Sequence, residues 1–230
     1  MPDTALLLIA TGKGYYQYVD QMVESARKFF VPHDAILWSD GKFLFHVERF
    51  FSKRPLGHPR ETLHRYHTFL TQKWILSQYK YLFYVDIDAT FVSQIQPEDI
   101  FSEGITATTH AGFLGESGTP ETNPLSTAFM PSPPLVYFAG GFVGGKSEAF
   151  LEMAEEIEKN VDTDTRNGLI ALWWDESHMN KYLYDHPPAK ILDPGFCYPN
   201  RDREYCRSKW RLKGHDDFVE RIRLIDMPGK

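Results

Sequence analysis

The hydrophobic positions of this chain fall into short continuous runs and into helical spacings, and the two alternate. Positions 5–10 (ALLLIA) are apolar without a break, the pattern of a strand covered on both faces in a parallel sheet. Thr11-Gly12-Lys13-Gly14 interrupts the run as a turn. From 15 to 30, apolar side chains recur at Tyr15, Val19, Met22, Val23, Ala26 and Phe30, which predicts an amphipathic helix ended by Val31-Pro32. A second apolar run at 35–38 stops at Ser39-Asp40-Gly41. The chain therefore opens β-α-β, the start of a doubly wound sheet.

The same reading continues downstream. Residues 43–47 read as a strand, and 61–78 as a helix with Leu63, Tyr66, Leu70, Trp74 and Ile75 on one face. Residues 80–86 (KYLFYVD) are a further buried strand. Strands are expected at 105–110, 135–143, 189–192 and 221–225, and helices at 148–160 and within 168–184. Between them, 112–127 is rich in Gly, Ser, Thr, Pro and Asn and reads as a long loop of the kind that often carries function. No repeat or interdomain linker appears, so one α/β domain is expected over residues 1–230.

Composition narrows the function classes. A chain of 230 residues buries about 70–75% of its unfolded surface and needs no staple. The net charge of -6 argues against sequence-independent nucleic-acid binding, which needs a basic surface. No apolar run is long enough to span a membrane, and no basic region precedes the first apolar run, so a cytoplasmic protein is expected. Cys197 and Cys206 make neither a disulfide framework nor a zinc site, and a reducing compartment fits them. The aromatic share, 15%, suits a core and also suits sugar rings.

Three constellations carry chemistry. Asp86-Ile87-Asp88 follows directly on the 80–86 strand. Ligands of open α/β sheets bind at the carboxyl ends of strands, and two carboxylates there suit Mn²⁺ or Mg²⁺ and a diphosphate. A solvated turn or helix cap is the equal alternative. Trp173-Trp174-Asp175-Glu176-Ser177-His178 places adjacent carboxylates among bulky aromatics. One could bind sugar hydroxyls and the other stabilise charge at an anomeric carbon. The same pair also suits a helix start, and both readings can hold together. Residues 137–145 (YFAGGFVGG) carry glycines inside a strand pattern, marking either close approach of a ligand or a bulge. His110 precedes the polar loop and is a candidate for hydrogen bonding to an acceptor.

These residues together resemble glycosyltransferase family 6, which includes the histo-blood-group A and B transferases and the α-1,3-galactosyltransferase. The likeness rests on Asp86-Ile87-Asp88, on 110–115 (HAGFLG), on 137–145 and above all on 173–182 (WWDESHMNKY), which is close to the family's W-H-D-E-S-H-L-N-K-Y. The order and spacing fit from Leu6 to about Pro199.

The resemblance implies a GT-A fold: a Rossmann-like mixed sheet with helices on both faces. Residues 1–88 would form mainly the nucleotide half, and 89–230 mainly the donor-sugar and acceptor half. It implies a soluble, bacterial- or viral-type retaining enzyme that moves GalNAc, or Gal, from a UDP-sugar donor to a galactoside-type oligosaccharide acceptor in an α-1,3 linkage. Ile9, Ala10 and Thr11 would meet the uridine, and Arg65 and Ile87 the donor. Asp86 and Asp88 would hold Mn²⁺, with Mg²⁺ as the substitute. Ala139, Gly140 and Gly141 would line the donor sugar, and their small size favours GalNAc. Asp175 would bind donor hydroxyls, and Glu176 would lie beneath the anomeric carbon as the catalytic residue. His110, Thr119, Trp173, Trp174 and Glu176 would face the acceptor. A UDP-Gal-specific enzyme and a non-catalytic sugar-binding module are the alternatives. Trp174 departs from the family's His, Pro199 stands where the blood-group enzymes have an acceptor-touching Asp, and Lys230 is the candidate remnant of a basic tail.

Overall fold

A computed structural model describes residues 2–41, 47–199 and 218–225. In chain order the elements are β1 (Thr4–Ala10), α1 (Lys13–Phe29), β2 (His33–Ser39), β3 (Arg49–Ser52), α2 (Arg60–Leu63), α3 (Arg65–Leu70), α4 (Lys73–Leu76), β4 (Tyr81–Val85), β5 (Ala89–Phe91), α5 (Pro97–Ile100), β6 (Ile105–Thr109), β7 (Phe138–Lys146), α6 (Ser147–Arg166), α7 (Trp174–Asp185), β8 (Lys190–Leu192), β9 (Tyr198–Pro199) and β10 (Ile222–Leu224).

The main sheet has seven strands in the order β3-β2-β1-β4-β7-β6-β8, and β5-β10-β9 form a small second sheet. β1 pairs parallel with β2 and β4, whereas β7 runs antiparallel to both β4 and β6. The sheet is therefore mixed. Its central strands lie between two cores, which is why their sequences are continuously apolar. Alternate residues feed opposite sides: Leu6, Leu8, Phe83 and Val85 pack toward α1, while Ala5, Leu7, Leu82 and Tyr84 pack toward α2–α4, α6 and α7. Cutting one such fully buried leucine to alanine costs about 2–5 kcal/mol.

α1 forms as its spacing predicts, burying Tyr18, Val19, Met22, Val23 and Ala26, with Arg27 and Lys28 complementing the dipole in the last turn. The expected helix at 61–78 is instead three short helices, broken at His64 (φ -101°, ψ 25°) and at Gln72 (φ -123°, ψ 26°). The breaks rotate Trp74 off the apolar face, and it is 71% exposed. The strand expected at 43–47 falls almost wholly outside the described residues, and β3 at 49–52 extends the sheet in its place. β5 and α5 are too short for periodicity to reveal. β7 starts at Phe138 rather than 135, and α7, from Trp174, takes up the later part of the 168–184 stretch in which a helix is expected. The 112–127 stretch is irregular beyond a 3-10 turn at Ala111–Phe113.

One irregularity of the sheet shapes the site. β6 pairs Ala107 with Val143 but Thr108 with Ala139, so residues 140–142 of β7 have no ladder partner on β6, and the Phe142 carbonyl instead accepts the Thr108 hydroxyl at 2.9 Å. On its other side β7 stays in register with β4 through Val85 and Phe142.

Candidate active site

A cavity of about 400 Å³ opens at the carboxyl ends of β1 and β4. β4 ends when the Asp86 N–H donates to the Gly141 carbonyl at 3.0 Å. Ile87 then turns into the core at 4% exposure, and its two neighbours, Asp86 and Asp88, both reach the cavity. The alternation of a strand end thus puts two carboxylates on one side.

Arg65 on α3 is the hub of the cavity floor. Its Nη1 donates to the Gly140 carbonyl at 2.8 Å, its Nη2 to Asp86 Oδ1 at 3.3 Å, and its Nε lies 3.2 Å from Asp175 Oδ2. The guanidinium also sits 4.3 Å over the Tyr84 ring, and the Tyr84 hydroxyl donates to Asp86 Oδ1 at 2.5 Å. Burial opposes the charge on Arg65, but Asp175, Tyr84 and Asp86 hold its pKa above the usual arginine value.

Asp175 and Glu176 occupy the first turn of α7, so the helix-start reading and the site reading coincide. Glu176 Oε2 accepts the Gly140 N–H at 2.8 Å, the N–H that the break in β6–β7 pairing leaves free. Burial raises Glu176 to about 7, against the lowering effect of the Gly140 N–H. Burial likewise raises Asp175 to about 6, with Arg65 pulling the other way. Trp174 holds a left-handed backbone (φ 53°), the sole non-glycine to do so among the described residues. Its ring meets His58 edge-on at 4.5 Å and Trp173 at 6.3 Å, forming an aromatic rim. Strained backbone of this kind collects at functional sites.

Of the residues singled out from sequence, Ile9, Thr11, Arg65, Asp86, Ile87, Asp88, Gly140, Gly141, Trp173, Trp174, Asp175 and Glu176 line this one cavity. Four do not. The Ala10 side chain is core, and its carbonyl accepts the Ser39 hydroxyl at 2.5 Å. Ala139 packs into the α1-side core. His110 caps the 3-10 turn, its Nδ1 accepting from Gly112, and Thr119 lies beside Tyr137. The room at Gly141 is already taken: a Cβ there would lie 2.7 Å from Cys197 Sγ and 3.0 Å from Asp86 Oδ2. Cys206, Lys230 and residues 43–46 lie outside the described residues.

Sequence reasoning missed Tyr15, His58, Glu61, Thr62 and Tyr84, all on the cavity wall. Tyr84 was findable, because it stands two residues before Asp86 on the same strand face. His58 sits in a polar segment with no periodic signal.

A divalent cation fits this chemistry. Glu61 is paired with Lys53, but Asp86, Asp88, Asp175 and Glu176 share one lining guanidinium, Arg65, so an anionic ligand would be helped by added positive charge. Among the described residues no cluster of three or more His, Cys, Asp or Glu forms a metal cage. Asp86 and Asp88 would hold a hard cation by oxygen alone and leave its other positions to ligand oxygens.

Known proteins match this chain in keeping with the geometry. It is 31% identical over 152 residues to the rat histo-blood group ABO system transferase 1, an alignment covering 64% of this chain and 40% of that protein. It is 26% identical over 224 residues to the dog globoside alpha-1,3-N-acetylgalactosaminyltransferase 1, covering 85% of this chain and 61% of that protein. It is 36% identical over 77 residues to the human alpha-1,3-galactosyltransferase 2, covering 31% of this chain and 23% of that protein. The chain thus spans less than two thirds of the length of these relatives. The mixed sheet flanked by helices is the GT-A-type architecture expected from sequence. The model of glycosyltransferase family 6 matches residues 62–213, a stretch that holds the Arg65 hub and both carboxylate pairs, and this chain belongs to that family.

Proposed function

We propose that this protein is a retaining glycosyltransferase that moves GalNAc, or Gal, from a UDP-sugar to a galactoside-type glycan and forms an α-1,3 linkage. The observation that carries the reading is Glu176. It is a carboxylate seated on a backbone N–H at the cavity floor, with a pKa raised to about 7 by burial, next to a second carboxylate locked onto Arg65. Weak solvation makes such a carboxylate a better base and nucleophile, and a positioned one stabilises developing positive charge. The relatives' names, which include α-1,3 transfer of N-acetylgalactosamine and galactose, support the linkage and the sugar class.

In this reading Asp175 binds donor hydroxyls, and Arg65 keeps it oriented. The bond between the anomeric carbon and the UDP oxygen breaks, and its electron pair leaves with UDP. Glu176 then either forms a bond to that carbon, later displaced by the acceptor oxygen, or stabilises the oxocarbenium-like centre while the acceptor attacks the same face. In either route the acceptor hydroxyl proton passes to the departing phosphate or carboxylate. Trp173 and Trp174 offer apolar ring faces to the acceptor at the rim. Asp86 and Asp88 would hold Mn²⁺, or Mg²⁺, which supplies neutralisation of the diphosphate leaving group.

A UDP-Gal-specific form of the same reaction has one observation in its favour. Cys197 and Asp86 fill the space beside Gly141, so the absent side chain leaves little extra room for an N-acetyl group. The test is UDP release from UDP-GalNAc and UDP-Gal, with lactose and with a fucosylated galactoside, in Mn²⁺ and in EDTA. Acceptor-stimulated, EDTA-sensitive release with either donor is the expected result. No release in any arm would favour a sugar-binding module.

A further inference from the structure

Residues 110–137 join β6 to β7 without a strand. Two buried carboxylates pin the far part of this segment. Asp164 accepts the Ser126 hydroxyl at 2.5 Å and the Thr127 N–H at 2.8 Å, and Glu121 accepts Asn123 and Leu172 N–H groups at 2.8 and 2.7 Å. The near part has another anchor, the ring of Tyr137.

We propose that Tyr137 is a positioning residue for Glu176, and that it couples the seat of the 110–137 segment to that carboxylate. The inference rests on the reading of Glu176 as the catalytic group. Three features of geometry carry it. First, the Tyr137 ring is fully buried and is gripped by the segment, edge-on to Phe113 at 5.4 Å and to His110 at 5.9 Å. Gly118, at φ +65°, lies so close that a Cβ there would stand 2.2 Å from the ring. Only glycine allows that backbone and that approach.

Second, the Tyr137 hydroxyl is buried beside Glu176 and Thr119 but completes no well-aligned hydrogen bond in this structure. Buried hydroxyls are rarely left so, and one held beside a carboxylate is placed to donate to it once that carboxylate is ionised. Third, the backbone between the two residues is fixed. Asn180 accepts from the Phe138 N–H at 2.8 Å and donates to the Phe138 carbonyl at 2.9 Å and to the Glu176 carbonyl at 3.0 Å. One amide therefore ties the backbone next to Tyr137 to the first turn of α7, which carries Glu176. Among the described residues, the other ionisable groups around Glu176 are Asp175 on its own helix, Arg65 and Tyr66 on α3, and Cys197 beyond β8.

The hydroxyl donates to the ionised carboxylate and so keeps Glu176 charged and aimed. An acceptor seated on the 110–137 segment would press on the ring and thereby set that bond. The test uses Tyr137→Phe, which keeps the ring, and a 3-fluorotyrosine at the same position, which keeps the packing and donates more strongly. Two quantities are read: steady-state kinetics of UDP release, and the titration midpoint of Glu176 by carboxyl ¹³C NMR.

Tyr137→Phe should lower kcat about 10- to 100-fold with donor KM changed less than about twofold. It should also raise the Glu176 midpoint by about half to one pH unit, and the fluorotyrosine should lower it. An unmoved midpoint in both variants, or a moved midpoint with unchanged kcat, overturns the proposal. A wild-type protein that releases UDP from no donor would sink the transferase reading alone. The NMR arm would still decide whether Tyr137 holds this carboxylate.

Discussion

The cavity contains two pairs of carboxylates, one ending a strand and one beginning a helix, and they are built for different work. Asp86 keeps 30% of its side chain exposed, and Asp88 stands beside it on the same wall. Asp175 keeps 2%, and burial raises both it and Glu176 into the neutral range. The helix start supplies N–H groups and a favourable dipole, each of which lowers a carboxylate pKa. Both values rise nonetheless, so desolvation outweighs the backbone N–H groups and Arg65 that pull them down. The strand-end pair keeps part of its hydration, which is what a site for a cation and a charged ligand would require. The helix-start pair has traded hydration for position.

That contrast can be broken most sharply at Glu176. Glu176→Ala should lower kcat by about 10³-fold or more, roughly 4 kcal/mol of barrier, while donor binding survives. A variant at near wild-type rate would remove the helix-start pair from the chemistry. Next, Arg65→Ala should destabilise the fold by about 3–5 kcal/mol, because it strands the buried Asp175 charge, and Arg65→Lys should restore only part of this. Denaturant unfolding decides it, and an unchanged midpoint would mean that Asp175 is protonated without its partner.

For the strand-end pair, Asp86→Asn with Asp88→Asn, or EDTA, should cost about 10²-fold in kcat/KM, roughly 3 kcal/mol, with little loss of stability. Activity indifferent to both would assign the pair to the turn alone. The smallest effect concerns pH. A folded-state pKa of about 7 lies above the ordinary glutamate value of 4.5, so between those values the folded protein keeps a proton that the unfolded chain has released. Stability therefore falls as pH rises through that window. Glu176→Gln should be more stable than wild type at pH 8 by about 1–3 kcal/mol, and equal to it near pH 4, as thermal melts would show. On the proposed mechanism the ionised form is the active one, so activity should instead fall as pH drops below about 7.

Much of this architecture was legible. Continuous apolar runs gave β1, β2 and β4 because those strands lie between two cores, and the period of α1 was clear because only one of its faces is buried. The helix at 61–78 was misread because its breaks at His64 and Gln72 serve tertiary placement: they turn Arg65 inward and Trp74 outward. The two acidic motifs were readable from neighbours along the chain. The hub joining them was not, since Arg65 meets Gly140 across 75 positions of sequence and no local pattern encodes that distance. Ala139 fails as a cavity residue for a simple reason. β7 alternates, and small size in sequence does not say which face a strand presents.

The unpaired stretch of β7 makes the active site a gauge of correct folding. One residue, Gly140, offers its N–H to Glu176 and its carbonyl to Arg65, and the break in pairing with β6 is what frees them. A slip of β7 by one position would turn both groups from the β6 side toward β4, while its side chains changed face. The acid and the cation would lose their seats in the same event. A mispaired chain would then be inert, not sluggish or promiscuous, so turnover, rather than donor binding, reports the molecules with this sheet properly aligned.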